Sequence, residues 1–221
     1  MGTTAVIIAN GDFPKKIYPK YVIGTADHIV CCDDAFRTFL RHKDDPMLMG
    51  KMPDAVIGDL DSLPKSIQKK YGDIVHHVEE QDYNDLTKAM RYVLDNMPDV
   101  TTIHFMGATG KREDHTIGNI SLLMEYMRMF NLEERGIDID MISDYTSILP
   151  VTNSCSIDVG EGRPVSIISP DNTLKIKSDG LKWKTDDVVF DNLWKATLNV
   201  SDNDRITLEF NHKSMAVIIL G

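Results

Sequence analysis

Six short apolar runs punctuate the first two-thirds of this 221-residue chain, at residues 5–9, 28–32, 55–57, 74–78, 103–106 and 139–142. They are continuous rather than alternating, as strands buried on both faces of a parallel sheet must be. Between them the spacing becomes helical. Leu86, Ala89, Met90, Val93, Leu94 and Met97 fall at i, i+3, i+4, i+7, i+8 and i+11, with Pro98 just beyond. A second stripe runs through Ile117, Ile120, Met124 and Met127. Strands alternating with helices predict an α/β fold, a doubly wound, mainly parallel, Rossmann-like sheet.

Near Pro150 the character changes. Partly alternating runs at 155–159, 165–169, 174–177, 196–200, 206–210 and 216–220 are separated by Gly, Asn, Asp and Pro turn signals, and no helical spacing survives. The expected second domain is a smaller all-β sandwich, giving an α/β domain at 1–148 and a β domain at 149–221. No window approaches eighteen consecutive apolar residues, and the first residues lack the basic start and small-residue cleavage site of a signal peptide. Position six is Val rather than Ser or Thr, so myristoylation is not expected. Three cysteines cannot build a disulfide framework. Cys31 and Cys32 read as small buried hydrophobes, which fits a cytoplasmic protein. The formal charge is −10, and residues 1–150 hold 24 acids against 16 bases. That balance repels nucleic acid and anionic membranes, so neither is an expected partner, while bound cations are.

In open α/β sheets ligands bind beyond the carboxyl ends of strands. Four successive runs here lead into acids: Asp33-Asp34, then Asp59-Leu60-Asp61-Ser62, then Gln81-Asp82-Tyr83-Asn84-Asp85, then the segment holding Glu113, Asp114 and His115. Singly, each is explained by capping and turns, and that explanation is preferred for Asp34, Asp54 and Asn84. Together, unpaired carboxylates raise one another's pKa values, and a hard divalent cation relieves them. Asp59 and Asp61 can reach such a metal from adjacent positions. Lys88, one turn after Asp85, is expected on a solvent-facing surface. Arg112 offers a planar fork for phosphate oxygens, and Thr109 with the backbone N–H groups around Gly107 and Gly110 can cradle phosphate. Gly107-Ala108-Thr109-Gly110-Lys111 looks like a phosphate loop without satisfying the full P-loop pattern. His115 suits capping or hydrogen bonding better than metal ligation. His76 and His77, adjacent in a strand, face opposite ways.

These motifs in this order resemble the thiamine pyrophosphokinase family. The matching residues are Asn10-Gly11, Asp33, the segments 53–62, 81–90 and 107–119, and Gly180-Leu181-Lys182-Trp183. The resemblance implies transfer of pyrophosphate from ATP to thiamine by a homodimer. Thiamine would be held between the catalytic domain of one subunit and the β domain of the other. It further implies Mg²⁺ and the triphosphate on Asp59, Asp61 and Asp85. The nucleotide would meet Asn10, Asp33, Ser62, Thr109, Arg112, Asp114, His115 and Asn119, and thiamine would meet Gln81 and Trp183. Thr197, in the segment 195–199, stands nearest the family's serine in the thiamine pocket. An indole face suits the thiazolium cation, although Trp183 also reads as a core or interface aromatic. Asp34-Ala35 replaces the family's usual glycines. Catalysis is expected from Asp59, Asp61, Asp82, Asp85, Lys88 and Arg112, with Asp82 or Asp85 taking the hydroxyl proton.

Three other readings compete. Asp59 and Asp61 could serve a metal-dependent phosphohydrolase, which usually carries its paired aspartates after the first strand, or a nucleotide-sugar transferase. A nucleotide- or vitamin-binding regulator would bind without turnover.

Overall fold

The structure, a computed structural model, describes residues 2–221, which fall into two compact units. The first comprises the described residues up to 119, with 133–144. Its chain order is β1 (Thr3–Ile8), α1 (Ile17–Thr25), β2 (His28–Cys32), α2 (Ala35–His42), a 3-10 turn (Pro46–Leu48), β3 (Ala55–Gly58), α3 (Lys65–Lys70), β4 (Val75–His77), α4 (Asp85–Asn96) and β5 (Val100–Met106). Then come the first turns of α5 (Glu113–Met129), whose remainder belongs to the second unit, most of α6 (Leu132–Arg135) and β6 (Asp138–Ile142).

The six strands are parallel, in the order β6-β5-β1-β2-β3-β4. From β1 the chain winds one way through β2, β3 and β4, then returns to the other side of β1 for β5 and β6. The strand order therefore reverses between β1 and β5, and the loops after those two strands part there to leave a crevice. Both faces are covered. Val6, Ile8, Ile29, Cys31 and Val56 pack with Ile23 of α1 and with Phe36 and Phe39 of α2. Across the sheet, α4 lies against β1, β2 and β3 and buries Leu86, Ala89, Met90 and Val93. That is the stripe visible in the sequence.

The second unit comprises residues 120–132 and 145–221. Its strands are β7 (Ser147–Val151), β8 (Cys155–Asp158), β9 (Pro164–Ile168), β10 (Ile176–Asp179), β11 (Ala196–Val200), β12 (Arg205–Phe210) and β13 (Ala216–Leu220). They pair antiparallel as β11-β9-β13-β7 and β10-β12-β8. Val165, Ile167, Ile218 and Leu220 of the first sheet share a core with Ile176, Ile206 and Leu208 of the second. Two sheets closing on one apolar layer make the expected sandwich.

Two expectations need correction. β7 was not foreseen, because Pro150 cannot donate to a strand ladder and reads as a break. The pairs Leu149–Ile218 and Pro150–Val217 nonetheless hold it against β13. The stripe assigned to α5 also fails at its start. Ile117 is 62% exposed, and the helix buries Leu123, Met124 and Tyr126 instead. Its first turns, with Glu113, Asp114 and His115 exposed, face solvent.

Candidate active site

The acidic centre is assembled by three turns. Directly after β2, Asp33 takes a left-handed backbone with φ 41°, and its N–H donates to the Ile57 carbonyl at 2.9 Å. The neighbouring strand ends in Gly58, where a Cβ would come within 2.9 Å of the Asp33 Cβ, so only glycine lets the two strand ends close up. Asp59 follows, and buried Leu60 is again left-handed, with φ 60°. That reversal turns Asp61 out to the exposed rim, leaving its N–H on the Asp59 carboxylate at 3.2 Å. Asp85 opens α4, positioned by Asn84, whose side chain caps the helix by accepting from the Thr87 N–H at 3.0 Å.

Carboxylate oxygens of Asp33, Asp59 and Asp85 consequently lie within 4.8 Å of one another. Asp33 is buried, and one of its oxygens has no hydrogen-bond partner. Burial, followed by the Asp85 and Asp59 charges, raises the Asp33 pKa, against which the Ser62 hydroxyl works. Burial also raises that of Asp85, and Lys88 opposes the rise. An orphaned carboxylate oxygen amid two further acids fits a hard divalent cation, which would satisfy the oxygen and offset the repulsion.

Asp33 and Asp85 of the triad line a cleft of about 370 Å³, shared with the loops at the strand-order reversal. Loops following β1 and β5 are tied together there: Gly11 N–H donates to the Gly107 carbonyl and Asp12 N–H to the Thr109 carbonyl at 2.9 Å. Gly107 is left-handed with φ 61°, and a Cβ on it would strike the Ala9 carbonyl at 2.6 Å. Asn10, Ser62, Thr109, Arg112, His115 and Asn119 all line this cleft, together with Asp33, Asn84 and Asp85. Asn119 donates to the Ala108 carbonyl at 2.7 Å, pinning the β5 loop to α5.

Other candidate residues sit differently. Lys88 is buried, 5% exposed, with its ammonium 3.3 Å from Asp85, so the expected solvent-facing position is wrong. The helix turns that flank toward the sheet, and the charge is admitted because Asp85 pairs with it. Arg112 is engaged through its Nε and Nη2 with Asp114, whose carboxyl is held down to about 2 chiefly by that pairing. Asp114 is exposed and off the cleft lining, as are Gln81 and Asp82 in the loop before α4. Asp34 faces Arg37 of its own helix, and Asp54 accepts from the Ile29 N–H at 2.7 Å; both are structural. Sequence reasoning passed over Cys32, which read as a core thiol, Thr116, and Lys111, whose only signal was the incomplete phosphate loop.

Trp183 and Thr197 belong to the β unit, where they line a second, open cleft of about 280 Å³ with Lys184, Val188, Lys195 and Asn199. Buried Asn199 holds the indole-bearing segment by accepting from the Trp183 N–H at 3.1 Å and donating to its carbonyl at 2.6 Å. Trp183 is 54% exposed, and the Lys182 ammonium lies over its ring, 4.9 Å from the centroid. The Thr197 hydroxyl donates to the Trp194 carbonyl at 2.8 Å.

An acid-lined crevice at the reversal of a parallel sheet, followed in the chain by a β-sandwich, defines a two-part α/β protein whose crevice suits a cation with an anionic ligand. Two family models match the chain, "Thiamin pyrophosphokinase, catalytic domain" over residues 19–133 and "Thiamin pyrophosphokinase, substrate-binding domain" over residues 147–217. The chain belongs to the thiamin pyrophosphokinase family, and its activity is that of an enzyme of thiamine diphosphate biosynthesis. Thiamine pyrophosphokinase 1 of Oryza sativa subsp. japonica is 29% identical over 206 residues, covering 82% of this chain and 74% of the relative. The Bacillus subtilis (strain 168) enzyme is 31% identical over 141 residues, covering 61% and 60%. The crystal structure of thiamine pyrophosphokinase from Bacillus subtilis superposes with a TM-score of 0.74 at 22% identity, covering 99% of this chain and 98% of that one. That of the yeast enzyme gives 0.76 at 16% identity, covering 100% and 87%.

Proposed function

We propose that the chain transfers diphosphate from ATP to the primary hydroxyl of thiamine, yielding thiamine diphosphate and AMP, with Mg²⁺ as the metal. The observation that carries this is the meeting of Asp33, Asp59 and Asp85 beside a glycine-turned, cation-bearing loop. The hydroxyl O–H bond breaks, an O–Pβ bond forms, and the Pα–O–Pβ bridge breaks with its oxygen leaving on AMP. Mg²⁺, when bound, neutralises phosphate oxygens and polarises the phosphorus under attack. Asp33, Asp59 and Asp85 would hold it, with Asp61 adding its carboxylate from the exposed side. Buried Lys88 aims the Asp85 carboxylate and opposes the rise that burial imposes on its pKa. Arg112 and Thr109 bind phosphate oxygens, with Asn10, Ser62, His115 and Asn119 shaping the nucleotide cleft. Of the two carboxylates suited to take the hydroxyl proton, Asp85 is already committed to Lys88 and its acidic neighbours, which favours Asp82.

In the β unit, Trp183 and Thr197 would receive thiamine, the exposed indole face taking the thiazolium cation and Gln81 adding a polar contact. Residues 1–148 would carry the nucleotide and 149–221 the vitamin and the contact between subunits. Leu193, Trp194 and Leu198 are more than half exposed beside that cleft, an apolar surface that a homodimer would cover. Three free thiols and the lack, among the described residues, of a helix able to cross a membrane accord with a cytoplasmic enzyme. Incubation with ATP, Mg²⁺ and thiamine, followed by mass identification of products, should give AMP and thiamine diphosphate in equal amounts. Free phosphate released without thiamine would replace this reading by a phosphohydrolase, and binding without turnover by a regulator.

A further inference from the structure

The cleft's cations are not equivalent. Arg112 is matched by Asp114 through two guanidinium nitrogens, and the deeper Lys88 is matched by Asp85. Lys111 also lines the cleft, yet its ammonium rests on neutral oxygens alone, the Asn10 carbonyl at 2.9 Å and the Asn10 side-chain oxygen at 3.2 Å. No carboxylate among the described residues pairs with it. Asn10 belongs to the loop after β1 and Lys111 to the loop after β5, so this contact lies at the reversal of strand order, while Asp33 and Asp59 follow β2 and β3 on the other side of β1. A lysine placed there without a counter-ion adds positive potential where an anion would lie, and its flexible stem lets the ammonium trade carbonyl oxygens for charged ones.

We infer that Lys111 is a substrate-binding residue, whose ammonium leaves Asn10 to grip the polyphosphate of the nucleotide. The triphosphate is then held by two groups, the cation on the acidic triad and Lys111 from the loop after β5. This rests on the ATP-dependent reading proposed above. The bland alternative is a loop tie: Lys111 merely fastens the two loops through Asn10.

Two substitutions separate these roles. Lys111→Gln keeps an N–H donor within reach of the Asn10 oxygens but removes the charge, whereas Lys111→Arg keeps both. Binding of a non-hydrolysable ATP analogue with Mg²⁺ should weaken roughly ten-fold in Lys111→Gln and stay near the parent value in Lys111→Arg. Added salt should weaken nucleotide binding less in Lys111→Gln than in the parent, while the KM for thiamine stays unchanged. Parent-like nucleotide affinity and salt response in Lys111→Gln would overturn the Lys111 assignment alone. Failure of the unmodified protein to bind the analogue would overturn the ATP reading and this inference with it.

Discussion

Asp33 holds a left-handed backbone, is buried, and leaves one carboxylate oxygen unsatisfied. Each of these costs stability, and together they are what a site kept ready for a cation looks like. Asparagine tolerates the same backbone without the charge. Asp33→Asn should therefore raise metal-free stability by about 1 kcal/mol in urea denaturation while abolishing divalent-ion binding; a less stable variant would contradict the account of repulsion. The raised pKa values of Asp33 and Asp85 fix a sign for pH. A carboxyl whose folded pKa lies above its unfolded value favours folding below the unfolded value, and that favour is lost as pH rises through the folded one. Thermal melts should show Mg²⁺ raising Tm more at neutral pH than at the acid end of the carboxylate range, and an increment independent of pH would exclude the triad as the binding site. Asp59→Asn should cut kcat by at least about a hundred-fold. Asp61→Asn, changed at the rim, should cost less in both rate and Mg²⁺ binding.

Elements place these residues by their ends. β2, β3 and α4 converge because Gly58 admits Asp33 and because Asn84 starts the helix where it does. Gly58→Ala should push the two strand ends apart, weakening divalent-ion affinity with a modest loss of stability, seen by calorimetric titration and chemical denaturation. Asn84→Ala removes a cap and should cost about 1 kcal/mol of stability, most of which Asn84→Ser should restore. These paired outcomes separate an effect on geometry from one on helix initiation. The hydrophobic stripe of α4 and the apolar runs of β1 to β3 were legible because each is a local pattern with a fixed period. β7 was not, since its pairing with β13 crosses more than sixty positions and outweighs the local discouragement of Pro150.

The whole molecule pairs an acid-centred cleft in one unit with an indole-bearing cleft in the other, and the proposed homodimer gives the exposed Trp194 and Leu198 a use. Light scattering after size exclusion should report a dimer. Mixing inactive Asp85→Asn with inactive Trp183→Ala should restore activity that neither has alone, because some mixed dimers would keep one intact site built from both subunits. No recovery after subunit exchange would mean that each chain completes its own site.

The apolar runs of most strands, the α4 stripe, the passage from α/β to all-β chemistry near Pro150 and the acidic strand ends were settled within the sequence, since burial periodicity and turn residues act over a few neighbours. Which carboxylates meet was not. The sequence favours Asp59 with Asp61, two apart, but the left-handed turn at Leu60 throws Asp61 to the rim and packing over Gly58 brings Asp33 in its place. Lys88 lies buried beside Asp85, Arg112 is matched by Asp114, and Lys111 alone of the lining lysines and arginines has no acid beside it. Such pairings join residues whose separation in space is set by how strands stack and loops reverse, and no local pattern along the chain encodes that.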